Sequence, residues 1–218
     1  MRYLKLAILF ASFFTVLSCK KDKDPADDPK PEPVSYPNYF PLKVGNYWVY
    51  QLFEIDSSEN ETALNQFNTV TVTRDTVINN STYFVLETKG SYNIKPKIYL
   101  KDSLHYIVNE KGEIQFSSQD FTNVLRTERE MFDENEEVLH TVFKMEDVEN
   151  EIIVEAGSFK TLAFKGTYYI SPRFSYGRSI RYTFVNYAEG VGVVKERYIS
   201  SPYGAVANER RLLRYKVN

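Results

Sequence analysis

Apolar and polar positions divide the chain into three stretches. Residues 6–17 (LAILFASFFTVL) form an uncharged, largely apolar run behind Arg2 and Lys5. Residues 20–38 (KKDKDPADDPKPEPVSYPN) hold five of the nine prolines and almost nothing apolar. From Tyr39 onward, short β-branched and aromatic runs are punctuated by Gly, Asn and Pro every 8 to 15 residues. Asn46–Asp56 (NYWVYQLFEID) is a strong strand pattern, and Val70–Thr73 alternates as a half-buried strand does. Val77–Val85 reads as strand, turn, strand. Asn79-Asn80 is its two-residue loop, because Asn tolerates the positive φ that a tight hairpin demands. Leu104–Val108 and Ile114–Ser117 flank a turn with Gly112 in the left-handed position. Glu151–Glu155 and Phe159–Tyr169 flank Ala156-Gly157-Ser158. Arg181–Tyr187 and Val191–Ile199 flank Ala188-Glu189-Gly190. Ser201-Pro202-Tyr203-Gly204 suits a type I turn, and Leu212–Val217 closes the chain as a strand. Asp120–Phe132 mixes helical spacing at Phe121, Val124 and Leu125 with alternation, and is read as strand. The pattern predicts an all-β or β-dominated fold: one antiparallel domain over 39–218, a curved sheet or half-barrel/sandwich with little helix. Trp48, the only Trp, is expected in its core.

The first run is too short to span a ~30 Å hydrocarbon layer, which takes about 20 residues. It suits a signal-peptide core over 1–18. Val16-Leu17-Ser18-Cys19 places a small residue before the only cysteine of the chain. That arrangement resembles the bacterial lipoprotein signal, in which the Cys is lipidated and becomes the new N-terminus. The resemblance implies a palmitate-type diacylglyceryl-plus-acyl anchor at Cys19. More than one acyl chain holds a protein on a membrane stably. Residues 19–38 then form the lipidated Cys and a disordered Pro- and charge-rich tether. Its 19 residues after Cys19 reach at most about 60 Å at ~3.1 Å per residue.

Three segments form a set: Phe40-Pro41-Leu42-Lys43-Val44-Gly45-Asn46-Tyr47-Trp48-Val49-Tyr50, Val154-Glu155-Ala156-Gly157-Ser158-Phe159-Lys160 and Tyr187-Ala188-Glu189-Gly190-Val191-Gly192-Val193-Val194-Lys195. With the closing Leu212-Leu213-Arg214-Tyr215, the chain resembles secreted Bacteroidota-type lipoproteins of unknown function. The resemblance implies a β-rich fold akin to half-barrel periplasmic lipoprotein carriers, and a place in the cell envelope, at the outer membrane. It supplies no functional residues.

Candidate chemistry is sparse. No nucleophile elbow, zincin, P-loop or dinucleotide-binding motif is present. Only two histidines, His105 and His140, exist, so a His-rich metal site is excluded. Asp133-Glu134-Asn135-Glu136-Glu137 lacks the sharp-turn Gly and terminal Glu of a calcium loop, and reads as a solvated hairpin. Asp75-Thr76-Val77 and Asp102-Ser103-Leu104 resemble an Asp-Ser/Thr-apolar motif that some bacteria O-glycosylate, which makes Thr76 and Ser103 candidates for modification. No catalytic residue, cofactor or metal is expected, and the protein is expected not to be an enzyme.

Net charge is −2, which argues against a nucleic-acid partner. Residues 39–150 carry 10 Lys/Arg against 19 Asp/Glu, and residues 151–218 carry 11 against 5. The basic half includes Arg173, Arg178, Arg181, Lys195, Arg197, Arg210, Arg211 and Arg214. Pairing of acidic with basic strands inside one sheet is the expected reason, ahead of a basic binding face. The sum of these readings is a membrane-tethered, non-enzymatic binding or carrier module for an apolar, amphipathic or glycan ligand. The alternative is a structural or assembly protein acting through protein contacts, with a hydrolase least favoured.

Overall fold

The computed structural model describes residues 34–91, 97–146, 148–175, 178–199 and 206–218. The signal sequence, Cys19, most of the tether and the Ser201–Gly204 turn lie outside the described residues. Residues Ser35–Asn218 form one compact unit.

Strands follow from β-branched and aromatic runs broken where the backbone turns left-handed. They are β1 (Tyr47–Ile55), β2 (Glu61–Ile78), β3 (Ser81–Gly90), β4 (Lys97–Ser103), β5 (Tyr106–Asn109), β6 (Ile114–Ser117), β7 (Arg126–Met131), β8 (Glu137–Met145), β9 (Asn150–Val154), β10 (Gly157–Ile170), β11 (Ile180–Ala188), β12 (Gly192–Ile199) and β13 (Ala207–Lys216). Asn79 and Asn80 take φ of 48° and 60°. Two successive positive φ values are what a two-residue hairpin loop requires, since they match the twist of the flanking strands.

All described pairings are antiparallel, in the order β6-β5-β4-β3-β2-β1-β13-β12-β11-β10-β8-β7, with β9 beside β10. The sheet is therefore two meanders, β1–β6 and β7–β13, the second with β8 and β9 both paired to the long β10, joined where the first strand meets the last. The β1–β13 register runs from Tyr47 opposite Lys216 to Ile55 opposite Ala207.

Curvature can be read from the same order. β6 and β11 are eight steps apart. At ~4.8 Å per step a flat sheet would separate them by about 38 Å. Yet the rings of Phe116 on β6 and Tyr187 on β11 lie 4.5 Å apart, and the Tyr187 hydroxyl donates to the Gln115 carbonyl at 3.3 Å. The sheet is one large, nearly closed antiparallel surface around its own core. Residues 118–125 cross the remaining gap: the Ser118 amide donates to the His105 carbonyl, and the Leu125 amide to that of Phe143.

The concave side holds one continuous cluster, with Trp48, Tyr50, Val72, Leu86, Phe116, Phe143, Met145, Phe164, Tyr187, Val194 and Leu212 buried in it. After two adjacent buried residues, Val138 and Leu139, β8 alternates, which shows how sequence aims these groups. Leu139, Thr141, Phe143 and Met145 are buried, while His140, Val142 and Lys144 face the other side.

Three expectations need correction. Only Arg126–Met131 of Asp120–Phe132 is strand. Asp120 instead accepts from the Asn123 amide and side chain, and this local turn competes with the ladder. Leu104 and His105 belong to the β4–β5 turn rather than to a strand, with Leu104 at φ 60°. The Val70–Thr73 strand extends to eighteen residues. Its polar first part is held by pairing with β1 and lacks the apolar alternation in sequence that marks a strand.

Trp48 is fully buried, as expected. Trp48→Ala should destabilise the fold by about 3–5 kcal/mol, read as a lower urea midpoint at unchanged slope. An unmoved midpoint would show that the indole bears no packing load.

Candidate functional site

Four places bring chemically capable groups together. The first is where the two meanders join. Trp48 Nε1–H donates to the Val191 carbonyl at 2.6 Å, and the Tyr50 hydroxyl to that of Val193 at 2.9 Å. Asn46, fully buried, donates from Nδ2 to the Pro41 carbonyl and accepts from the backbone and side-chain amides of Asn218. Gly192 has φ +107°, and a Cβ there would sit 2.8 Å from the Phe40 ring and 3.1 Å from Trp48 Nε1. Only glycine fits that backbone and that space. The Ala156 amide donates to the Leu212 carbonyl, and the Phe159 ring lies 6.2 Å from that of Tyr215. The three segments that carry the family resemblance, with the closing strand, thus meet in one region. Its named polar groups bond to each other and to the backbone, so these signatures describe architecture.

The second place is a small dent, with room for little more than a water molecule, lined by Pro37, Asn38, Tyr39, Asp102, Leu104, His105, Tyr106, Ile107 and Phe116. Beside it, His105 Nδ1 and Ser117 Oγ are 3.0 Å apart. This pair is a nucleophile–base distance that the sequence did not reveal, because His105 sits in the β4–β5 turn and Ser117 at the end of β6, twelve residues later. Ser117 is fully buried, and its Oγ already accepts from the Gln119 and Asp120 amides at 3.2 and 2.8 Å. With its lone pairs engaged and no solvent access, that oxygen acts as a turn cap. Burial holds the Asp102 carboxyl above its ordinary range, against a weaker opposing backbone hydrogen bond to Ser103. The Tyr106 hydroxyl donates to Asp120 at 3.3 Å.

The third place lies on the concave face, beyond the apolar core. Directly opposed residues share a face, so the register sets out its rows. Arg126, Phe143, Gly166 and Thr183 form one; Glu128, Thr141, Tyr168 and Arg181 form the next. The Arg126 guanidinium lies 3.9 Å over the Phe143 ring and 3.2 Å from Glu128. Arg210 lies 4.7 Å over the Tyr50 ring and pairs with Glu196. Gly166 leaves room for its cross-strand neighbours, since a Cβ there would come within 2.5 Å of Thr183 Oγ1 and 2.7 Å of the Phe143 ring. Burial raises the Tyr168 phenol, with a smaller lowering from its hydrogen bond to Thr183. The Arg126, Arg210 and Glu196 side chains keep 14%, 21% and 25% of their surface open. This band therefore combines paired charges, hydroxyls and ring faces at a half-open edge of the core.

The fourth is the convex face. Glu209, fully buried, is held by Lys195 at 3.1 Å, Arg197 at 3.4 Å and Arg211 at 2.5 Å. Glu59 adds to Arg197 and Glu61 to Arg211. A buried carboxylate without such partners would cost several kcal/mol. The Glu59 and Glu61 pairs, with Arg173–Glu136, join the basic half of the chain to acidic residues of the first half, whereas the Glu209 pairs lie within the basic half. Charge pairing within the sheet is what the structure shows. Nearby, Tyr169, Ile180 and Tyr182 stay 44–48% exposed on adjacent strands. His140 packs its ring 6.1 Å from that of Tyr169. Asp133 caps its hairpin by accepting from the Asn135 and Glu136 amides. Thr76 and Ser103 are half-buried strand residues on β2 and β4. Cys19 lies outside the described residues.

No family model matches the chain, and no curated protein matches it. Two solved structures are similar over most of its length. A candidate lipoprotein from Parabacteroides distasonis shares 14% identity at a TM-score of 0.49, covering 84% of this chain and all of its own. A candidate exported protein with a YmcC-like fold from Bacteroides fragilis shares 11% identity at a TM-score of 0.44, covering 83% of this chain and all of its own.

The buried phenols generate a pH prediction. Burial pushes the Tyr50 and Tyr187 phenols well above their ordinary value of 10.0. Above pH 10 the unfolded chain releases these protons while the folded chain keeps them. The stability they contribute is therefore complete below pH 10 and falls as pH rises, by about 1.4 kcal/mol per unit for each phenol. Chemical denaturation between pH 9 and 11.5 should show a steeper loss for the parent than for Tyr50→Phe/Tyr187→Phe. Equal slopes would contradict the assignment.

Proposed function

We propose that the chain is an envelope lipoprotein, anchored through Cys19 in the outer membrane, that serves as a non-enzymatic binding module for a glycan. The observation that carries the ligand class is the half-open band on the concave face. The adjoining hollow of the sheet is occupied by Trp48, Tyr50, Phe116, Phe143, Phe164 and Tyr187, so an acyl chain would compete with the protein's own core. The band offers what a sugar needs instead. Arg126–Glu128 and Arg210–Glu196 provide donors beside acceptors for neighbouring hydroxyls, and Tyr168 adds a phenol. Its charges are already paired, which suits a neutral polyol better than an anion. Ser117, 3.0 Å from His105, is buried with its oxygen engaged, which supports a non-enzymatic role.

A second reading rests on a different observation. Tyr169, Ile180 and Tyr182 form an exposed apolar and aromatic group on the convex face, the kind of patch that protein partners cover. Under that reading the protein is a structural or assembly component.

The test has two arms. Cys19→Ser should move the protein from the membrane to the soluble fraction, and retention at high salt would contradict the anchor. For the ligand, thermal shift of the protein against panels of oligosaccharides and lipids should show a hit among the former that Arg126→Ala weakens. A lipid found bound by native mass spectrometry would overturn the glycan reading. Loss of partner capture on Tyr182→Asp, with no glycan response, would favour the second.

A further inference from the structure

The β2–β3 and β4–β5 hairpin tips lie side by side, linked by Lys101 Nζ and Ser81 Oγ at 3.3 Å. Each tip displays an aliphatic side chain to solvent: Val77 is 68% exposed and Leu104 70%. The two turns solve the same backbone problem differently. The first uses Asn79 and Asn80 for its positive φ values, whereas the second puts Leu104 at φ 60°. A non-glycine residue in the left-handed region costs roughly 1 kcal/mol, and Asn or Gly is the ordinary solution. Packing does not explain a leucine held there, because the side chain is outside the core.

The same tip is where the chain arrives from its N-terminal segment. The Tyr36 ring lies 5.5 Å from that of His105, and Pro37, Asn38 and Tyr39 line the dent beside Leu104. Fifteen residues separate Cys19 from Ser35, a reach of at most about 50 Å at ~3.1 Å per residue. The charges flanking the two turns, Arg74 and Lys101 against Asp75 and Asp102, cancel, so a lipid surface of either charge meets no net repulsion.

We propose that this tip is a membrane-contacting foot, in which Leu104 and Val77 enter the interfacial region of the lipid leaflet that holds the anchor. The inference rests on the Cys19 anchor of the preceding reading. Two aliphatic side chains bind a bilayer weakly by themselves, but a lipid anchor within tether range raises their effective concentration at the surface. Docking by the foot would present the other end of the sheet, with Phe132, Ile180 and Tyr182, away from the membrane.

The test uses the full-length lipidated protein in phosphatidylethanolamine/phosphatidylglycerol vesicles. Acylation consumes Cys19, so a cysteine at Leu104→Cys or Val77→Cys is the single site for an environment-sensitive fluorophore. Phe132→Cys and Tyr182→Cys are the distal controls. The expected result is a blue shift and quenching by brominated lipid at 104 and 77 but not at 132 and 182. Adding Val77→Asp to Leu104→Cys should reduce the signal at 104. Equal quenching at all four positions, or none at 104 and 77 while the protein floats with the vesicles, overturns the foot and leaves the anchor standing. Two dyes per chain and no flotation would show that Cys19 is free, and both readings fall together.

Discussion

The pairing of the first strand with the last is the constraint on which the rest of the structure depends. Each meander can form from neighbouring hairpins, but neither alone encloses a core. β1 and β13 make them one sheet, and the bonds from Trp48 and Tyr50 to the carbonyls of Val191 and Val193 fasten β1 across β13 to the start of β12. These contacts span 143 residues each. Closing so long a loop is entropically costly, so the junction has to be well packed. That accounts for the full burial of Trp48, the near-complete burial of Tyr50, and the glycine at 192.

Once the junction closes, the curl of the sheet follows, and the curl leaves little free space inside it. Aromatic side chains from both meanders fill the hollow, as the contact between Phe116 and Tyr187 illustrates. Under the proposed function a ligand meets the rim, where Arg126 and Arg210 lie over rings and remain partly open. The open edge strand β7 carries Arg126, Glu128, Arg129 and Glu130, a charged sequence that discourages strand addition from another chain. The same logic explains Glu209. Its carboxylate, with Glu59 and Glu61 on the outer side, offsets three cations of β12 and β13 that would otherwise repel one another across the ladder.

Much of the fold was legible in local chemistry. The Asn79-Asn80 turn, the left-handed Gly112 and the strand around Trp48 are all decided by residues within a few positions of each other. What was hidden is long-range. Nothing local says that Trp48 will meet Val191, that Ser117 will approach His105, or that Arg126 will lie on Phe143. The polar start of β2 was missed because a strand stabilised by its neighbour's backbone needs no apolar face of its own. The 120–125 segment was misread because Asp120 caps a turn inside an otherwise apolar pattern. The three segments singled out in the sequence meet at the junction, at positions where distant parts of the chain must fit together.

Hydrogen exchange of the full chain tests the central role of the β1–β13 junction most directly. If the junction holds the two meanders together, the ladder amides of Val49 to Phe53 and of Arg210 to Arg214 exchange only by global unfolding. Amides of the peripheral β5–β6 and β7–β8 pairs exchange earlier, through local opening. The account is contradicted if the β1–β13 amides exchange as fast as those of the sheet edges, because the meanders would then be separating while each remains folded.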